Sequence, residues 1–416
     1  MLHYIFDYLN NTGINSNFHN LFNYISFRSA LAILTSLFVT IYFGKIIITF
    51  LSSRLVKDNI RDLGLQGQLE KKDTPTMGGV IILIGILIPT ILLCRLNNIY
   101  IMIMIFTTIW MGLIGFLDDY IKVFQKNKDG LAAKFKLVGQ VFLGFVVALI
   151  MFFHPQITIK ERIQQPIIEN VAPSDNTSEQ LSEYQFTSAK KSLKTTIPFL
   201  KNNQLDYGDI LKIFKNQFFV FIFFAFIVVF IITGVSNSAN LTDGIDGLAT
   251  GTSAIIGATL GIFCYLSGNL VFSEYLNIMY IPNTGELVVF IASFVGACVG
   301  FLWYNSFPAQ VFMGDTGSLA LGGIIGVVAI LIRKELLLPI FCGVFFIESL
   351  SVIIQVSYYK YTKKQSDIGK GKRIFLMSPL HHHFQKKGIH ESKIVTRFWI
   401  VCVFLCLLAF VTLKLR

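Results

Sequence analysis

Long apolar runs alternate with short polar segments along this chain. Many of the runs approach the roughly 20 residues an α-helix needs to cross a bilayer. The pattern predicts ten spans, at 24–50, 77–95, 98–117, 135–154, 216–234, 247–267, 286–303, 317–333, 336–358 and 395–414. The residues before the first run are polar and lack a cationic start, so no cleaved signal peptide is read there. One stretch breaks the rhythm. Residues 155–212 are polar, contain "NVAPSDNTSEQLSEYQ" and separate spans four and five. They read as a mostly flexible insertion, with a small folded cap as the alternative. The chain thus divides into 1–154 with spans one to four, the insertion at 155–212, and 213–416 with spans five to ten.

Composition agrees with this layout. Of 416 residues, 54% are hydrophobic and only 14% charged, too apolar for a soluble domain of this length. The formal charge is +11, which by itself would suit nucleic acid. The Lys and Arg residues, however, lie in short loops beside the spans, after spans one, three and nine above all. That asymmetry orients a membrane protein. It predicts an all-α integral membrane protein of about ten transmembrane helices, with both termini outside and the odd-numbered loops cytoplasmic. The lipid bilayer is then a partner, and nucleic acid is not. Six cysteines fall inside the predicted spans without a CxxC pair, so they read as small buried residues rather than disulfides or zinc ligands.

Five polar clusters interrupt the apolar pattern, and all fall on the predicted cytoplasmic face. They are "KKDTPTMGG" (71–79), "GFLDDYIKV" (115–123), "SNSANLTDGIDGLATG" (236–251), "WYNSFPAQVFMGDTGSLALGG" (303–323) and "MSPLHHHFQKKG" (377–388). Two of them contain no Lys or Arg, so the orientation rule did not put them there. Asp118 and Asp119 end the third span, where ionised carboxylates near hydrocarbon carry a functional expectation against that of an ordinary hydrated helix end. Neighbours on a helix point about 100° apart, so one can bind a cation while the other accepts a proton. Asn237, Asn240, Asp243 and Asp246 share the second acidic cluster. Asn and Asp beside Gly also make turns and caps, but capping does not call for four such residues together. Asp315 stands between Gly314 and Thr316 just before span eight, where a helix start suits a phosphate and plain N-capping is the bland account.

Carboxylates without cysteine, surrounded by Lys71, Lys72, Lys122, Lys134 and Lys136, favour magnesium over zinc. Phosphoryl or pyrophosphate chemistry at the inner membrane surface follows, with a lipid as one substrate. Consecutive histidines point in different directions and rarely ligate one metal together. His381, His382 and His383 are therefore expected to meet substrate phosphate or nucleotide, against metal ligation or a hydrated loop.

The motifs "TPTMGG", "GFLDDYIKV", "NLTDGIDGL", "FLWYN", "VFMGDTGSLALGG" and "GKRIFLMSPLHHHFQ" give the chain a family likeness. It resembles the phospho-N-acetylmuramoyl-pentapeptide transferases over nearly its whole length except 155–212. Within the wider superfamily the triple histidine marks this branch. The resemblance implies UDP-N-acetylmuramoyl-pentapeptide and undecaprenyl phosphate as substrates, Mg²⁺ as cofactor and, by analogy, a homodimer in a bacterial inner membrane. It implies Asp315 as the main Mg²⁺ ligand with Asp118 beside it, and Asp119 as base for the lipid phosphate, with a nucleophilic aspartate left open. Asn240, Asp243, Asn305 and Phe312 would be nucleotide-side contacts. Lys71, Thr76, Asp246, His381 and His382 would line the site, and Lys122 and Lys134 would sit near phosphates. Asn237 and His383 join the substrate-binding candidates. The insertion lies on the far face, so it is expected to be dispensable for turnover. An N-acetylglucosamine-1-phosphate transferase is the nearest rival. An ion-coupled transporter is the distant one, since it would need midplane sites and internal repeats.

Overall fold

Backbone in hydrocarbon must satisfy its own hydrogen bonds, and each apolar run accordingly folds as helix. Short helical turns apart, the helices in chain order are α1 (Ile25–Ser53), α2 (Gly79–Leu93), α3 (Ile99–Phe124), α4 (Ala133–Phe153), α5 (Gln217–Thr242), α6 (Leu248–Ser267), α7 (Gly285–Asn305), α8 (Gly314–Leu331), α9 (Gly343–Lys364), α10 (Leu380–Lys386) and α11 (Glu391–Lys414). The computed structural model describes all residues except 3, 6–16, 54–73, 126, 128–129, 162–186, 199–203, 211–215, 277, 366–369 and 415–416. Lys71 and Lys72 lie outside the described residues. Among the described residues, eight helices are long and apolar enough to cross a membrane, so the protein is an all-α, multi-pass membrane protein.

Two predicted spans take forms that hydropathy does not convey. The ninth is broken: Glu335–Phe341 and α9 meet at 79°. Pro339 and Gly343 flank the break inside an apolar stretch whose composition never changes. The second, α2, is only 15 residues long. Two others run longer than predicted. α3 continues through Asp118 and Asp119, and α5 through Asn237 and Asn240, so these side chains sit on helix rather than loop. Asn98 and Asn216 start α3 and α5 by accepting from the N–H groups of Tyr100 and Phe218.

Helix α8 is the axis of the bundle, buried from Thr316 to Leu331 and packed against α3 and α5. Phe38, Phe226, Phe230 and Phe404 point outward from the surrounding helices, as lipid-facing side chains do. A small separate cluster of Ile245, Leu248, Ile394 and Val395, with Phe384 and Phe398 against it, seats α10 beside the loop before α6.

The segment 155–212 joins the end of α4 to the start of α5, so it lies at the opposite end of the bundle from Lys136 and Asn240. Composition reads it as mostly flexible, yet its described residues are held. Strands β1 (Lys194–Thr196) and β2 (Gln204–Asp206) pair antiparallel, and bridges link Ile159 to Lys190 and Lys160 to Tyr280. Thr195 and Thr196 are buried against the 333–335 turn. These are tertiary contacts, which local polarity does not reveal.

Candidate active site

The five polar motifs meet at one end of the bundle. Gly78 and Gly79 of the "TPTMGG" motif donate to the carbonyls of Phe312 and Met313 at 2.8 Å each, and Phe312 N–H donates back to Pro75. This pairing fixes the turn ahead of α8. Gly314 completes it at φ +71°, a left-handed conformation, and a Cβ there would lie 2.5 Å from Asp119 Oδ2. Gly115 lets α3 approach closely, since a Cβ on it would meet the Asp315 carbonyl.

Asp119 is buried and accepts three hydrogen bonds from the start of α8. They come from Asp315 N–H (3.0 Å), Thr316 N–H (2.9 Å) and Thr316 Oγ1 (2.6 Å). Asp119 thus anchors the turn that presents Asp315. Asp118 is fully buried and accepts from Leu131 N–H at 2.8 Å. Lys122, one turn along α3, lies 2.5 Å from Asp118 and 3.4 Å from Asp315. Lys136 of α4 bridges the same pair at 2.8 and 2.6 Å. Asn240 donates to Asp315 Oδ1 at 2.9 Å and to Ser318 at 2.8 Å.

The ligand oxygens of Asp118, Asp119 and Asp315 lie within 4.8 Å of one another. The cluster offers oxygen only, with neither thiolate nor imidazole, a donor set for a hard divalent cation. Three carboxylates formally outweigh two ammonium groups there, which also favours a cation.

Other expected residues divide between site and scaffold. Asn305, expected at the nucleotide, is buried with both ends of its amide engaged. It accepts from Gly247 N–H and Thr250 Oγ1 at 3.1 Å each and donates to the Val311 carbonyl at 2.9 Å. Asp246 is likewise buried, and its carboxylate accepts from Ala309 N–H at 3.0 Å. Both tie the loop after α5 to the loop before α8. Asp243 ends α5 and Asp246 follows in the turn, so the two do not share a helix face. Asn237 pairs with buried Gln140 through bonds of 3.0 and 3.2 Å. Thr76 is buried beside the turn, and Phe312 is half-buried. Lys134 is exposed on α4, two residues before Lys136, which reaches the carboxylates.

The histidines stand in three different environments. His381 is fully buried, its Nδ1 3.2 Å from Glu348 of α9, with its ring against Gly244 beside Asp243. Glu348 also accepts from Leu380 N–H at 2.8 Å. His382 Nδ1 lies 2.7 Å from Gln385 Oε1, and burial, reinforced by His381 alongside, pushes its pKa down to about 4. His383 Nδ1 accepts from Leu376 N–H at 3.1 Å, which closes the preceding loop. Lys136 is one of the lysines expected around the carboxylates and it reaches them, whereas Glu348 and Gln385 join the site's surroundings without having been expected there. Glu348 did leave a signal, an acidic residue inside the apolar run "FFIESLSVII".

Fold and site together define a multi-pass membrane protein with a carboxylate–lysine centre at one end of its helical bundle. Residues 101–333 match the family described as glycosyl transferase family 4, and residues 71–83 match signature 1 of phospho-N-acetylmuramoyl-pentapeptide-transferase. Proteins of that name from Flavobacterium psychrophilum and Flavobacterium johnsoniae are 57% and 56% identical, over the full length of both chains in each comparison. One from Porphyromonas gingivalis is 51% identical, again end to end. The chain belongs to the phospho-N-acetylmuramoyl-pentapeptide transferase family.

Proposed function

We propose that this protein transfers phospho-N-acetylmuramoyl-pentapeptide from UDP to undecaprenyl phosphate, giving lipid I and UMP for peptidoglycan synthesis. It would work in the bacterial inner membrane, with its polar motifs in the cytoplasm and both termini outside. The observation that carries this reading is the meeting of Asp118, Asp119 and Asp315 in one buried cluster, in a chain of this family.

In the reaction a lipid phosphate oxygen attacks the sugar-side phosphorus of the UDP-sugar. A new P–O bond forms, the bridging P–O bond breaks, and its electron pair leaves with UMP. Both substrates are anions, so their approach must be screened. Asp315 and Asp118 would hold Mg²⁺, which when bound supplies that screening and polarises phosphate oxygens. Lys122 and Lys136 supply further positive charge at the same carboxylates. Asp119, expected as a base, is assigned instead to holding Asp315, because its oxygens already accept three hydrogen bonds. A phosphate monoester has a second pKa of about 6, so the lipid nucleophile needs little help in losing its proton at pH 7. His382 faces the donor substrate in this reading. Asn240 orients Asp315, and Phe312, Thr76, Asp243 and Lys71 remain candidate donor contacts. Asn237, Asp246, Asn305, His381 and His383 support the loops around them. The family resemblance also supports a homodimer.

The test is UMP release by detergent-purified protein supplied with undecaprenyl phosphate and either UDP-N-acetylmuramoyl-pentapeptide or UDP-N-acetylglucosamine. Release with the muramyl donor alone, lost on chelation and restored by Mg²⁺, is the expected result. Release with N-acetylglucosamine alone would move the protein to the neighbouring branch, and unchanged turnover in chelator would remove the metal.

A further inference from the structure

The histidine helix α10 is tied to its surroundings by a chain of hydrogen bonds whose direction can be read. Glu391, at the start of α11, accepts from Asp246 N–H through Oε1 at 2.8 Å and from Gln385 Nε2 through Oε2 at 3.4 Å. Glu391 accepts at both oxygens, so Gln385 turns its NH₂ toward it. That leaves the Gln385 carbonyl oxygen facing His382 Nδ1 at 2.7 Å. A carbonyl also only accepts, so Nδ1 must carry hydrogen. In a neutral imidazole with hydrogen on Nδ1, Nε2 keeps its lone pair. The low pKa of His382, caused first by burial, keeps the ring neutral near pH 7.

We infer that Gln385 and Glu391 are positioning residues that hold His382 in its Nδ1–H form, so that Nε2 accepts a hydrogen bond from an O–H or N–H group of the nucleotide-sugar donor. This rests on the reading of His382 as a donor contact, and it departs from a histidine that binds phosphate. Phosphate oxygens are acceptors, and a neutral ring whose Nε2 carries only a lone pair offers them nothing. The fold supports a positioning role in a second way. Because Glu391 bonds Asp246 as well, one carboxylate locks both the histidine and the acidic loop whose Asp246 carboxylate receives Ala309 N–H.

Two readouts test this on the full-length protein in detergent. The first needs no turnover: ring ¹⁵N resonances of labelled histidine, with His382 assigned by its loss in His382→Gln. A protonated Nδ1 in the wild type, changed by Gln385→Met, is expected. A protonated Nε2 or an imidazolium at pH 7.5 overturns the inference, whatever becomes of the transferase reading. The second readout is UMP release. Gln385→Met should raise KM for the UDP-sugar about tenfold and leave KM for undecaprenyl phosphate unchanged, the size expected for one lost hydrogen bond. Adding Gln385→Met to His382→Gln should cost nothing further. Donors carrying 3-methyluracil or 2′-deoxyribose separate the imide N–H from the hydroxyl, because the Gln385→Met penalty disappears with whichever analogue lacks the partner. Equal rises in both KM values would mean a purely structural residue and overturn the inference.

Discussion

Lys134 and Lys136 stand two positions apart on one helix and meet different surroundings. The first is exposed, while the second reaches both Asp118 and Asp315. Lys136→Met should therefore reduce kcat/KM for UMP release about 10²-fold, as removal of one preorganised positive partner does elsewhere. Lys134→Met should stay within about twofold of wild type. Equal losses in the two variants would remove Lys136 from the proposed centre. The contrast marks where sequence stops being legible at this scale. Asp118, Asp119 and Asp315 were visible because a charge near hydrocarbon needs a reason. The choice between two nearby lysines was not, because it depends on which face of α4 turns toward α3. The same holds for Asn305 and Asp246. Their polar character marks them for the site, and only the packed loops show that Asn305 also holds the Val311 carbonyl and that Asp246 also receives Ala309 N–H.

At the level of elements, hydropathy located the long apolar helices, because the burial requirement is written residue by residue. It missed the break before α9, where composition stays apolar while the backbone turns. It also gave no warning of an ion pair buried between α1 and α7. Arg28 binds Glu286 bidentately, at 2.7 Å on both sides, and donates to the Leu93 carbonyl that ends α2. Arg95 N–H joins the same carboxylate at 2.9 Å. Three helix ends are thereby pinned at one carboxylate. Glu286→Gln leaves a buried guanidinium without its counter-charge and should cost about 3–5 kcal/mol, read as a lowered melting temperature in detergent. Replacing both partners, Arg28→Met with Glu286→Met, should recover much of the loss, since two apolar side chains leave no buried charge. A single variant as stable as wild type would show that helix packing alone holds these ends.

For the whole molecule, the bundle separates two polar ends by the length of α8. One end carries Asp315, and the other carries the turn of Arg333, Lys334 and Glu335 that follows the helix. A site gathered at one end of a bundle suits a lipid-facing transferase better than a midplane carrier, so the transporter alternative loses its main support. The far end, where the sequence placed a dispensable insertion, requires a sharper distinction. Lys334 is fully buried, and burial lowers its pKa to about 8. Its ammonium donates to Thr196 Oγ1 at 2.6 Å, Thr196 N–H donates to the Arg333 carbonyl, and Tyr207 donates to Glu335 at 2.9 Å. These partners all come from 155–212, so removing 157–210 strands buried charge at the end of the bundle's central helix. Residues 162–186 differ, because Glu161 and Thr187 on either side are hydrogen-bonded to each other at 2.8 and 3.1 Å. A turn of a few residues can close that gap. Deleting 162–186 should leave UMP release within about twofold and the melting temperature within a few degrees. Deleting 157–210 should destabilise the protein by roughly 3–5 kcal/mol, through unsatisfied buried groups rather than through the chemistry, which lies a helix length away. If the longer deletion melts like the shorter one, the Lys334 contacts do not hold this end together. If the shorter deletion abolishes turnover in a protein that still melts normally, the segment serves the reaction directly and the separation of the two ends is wrong.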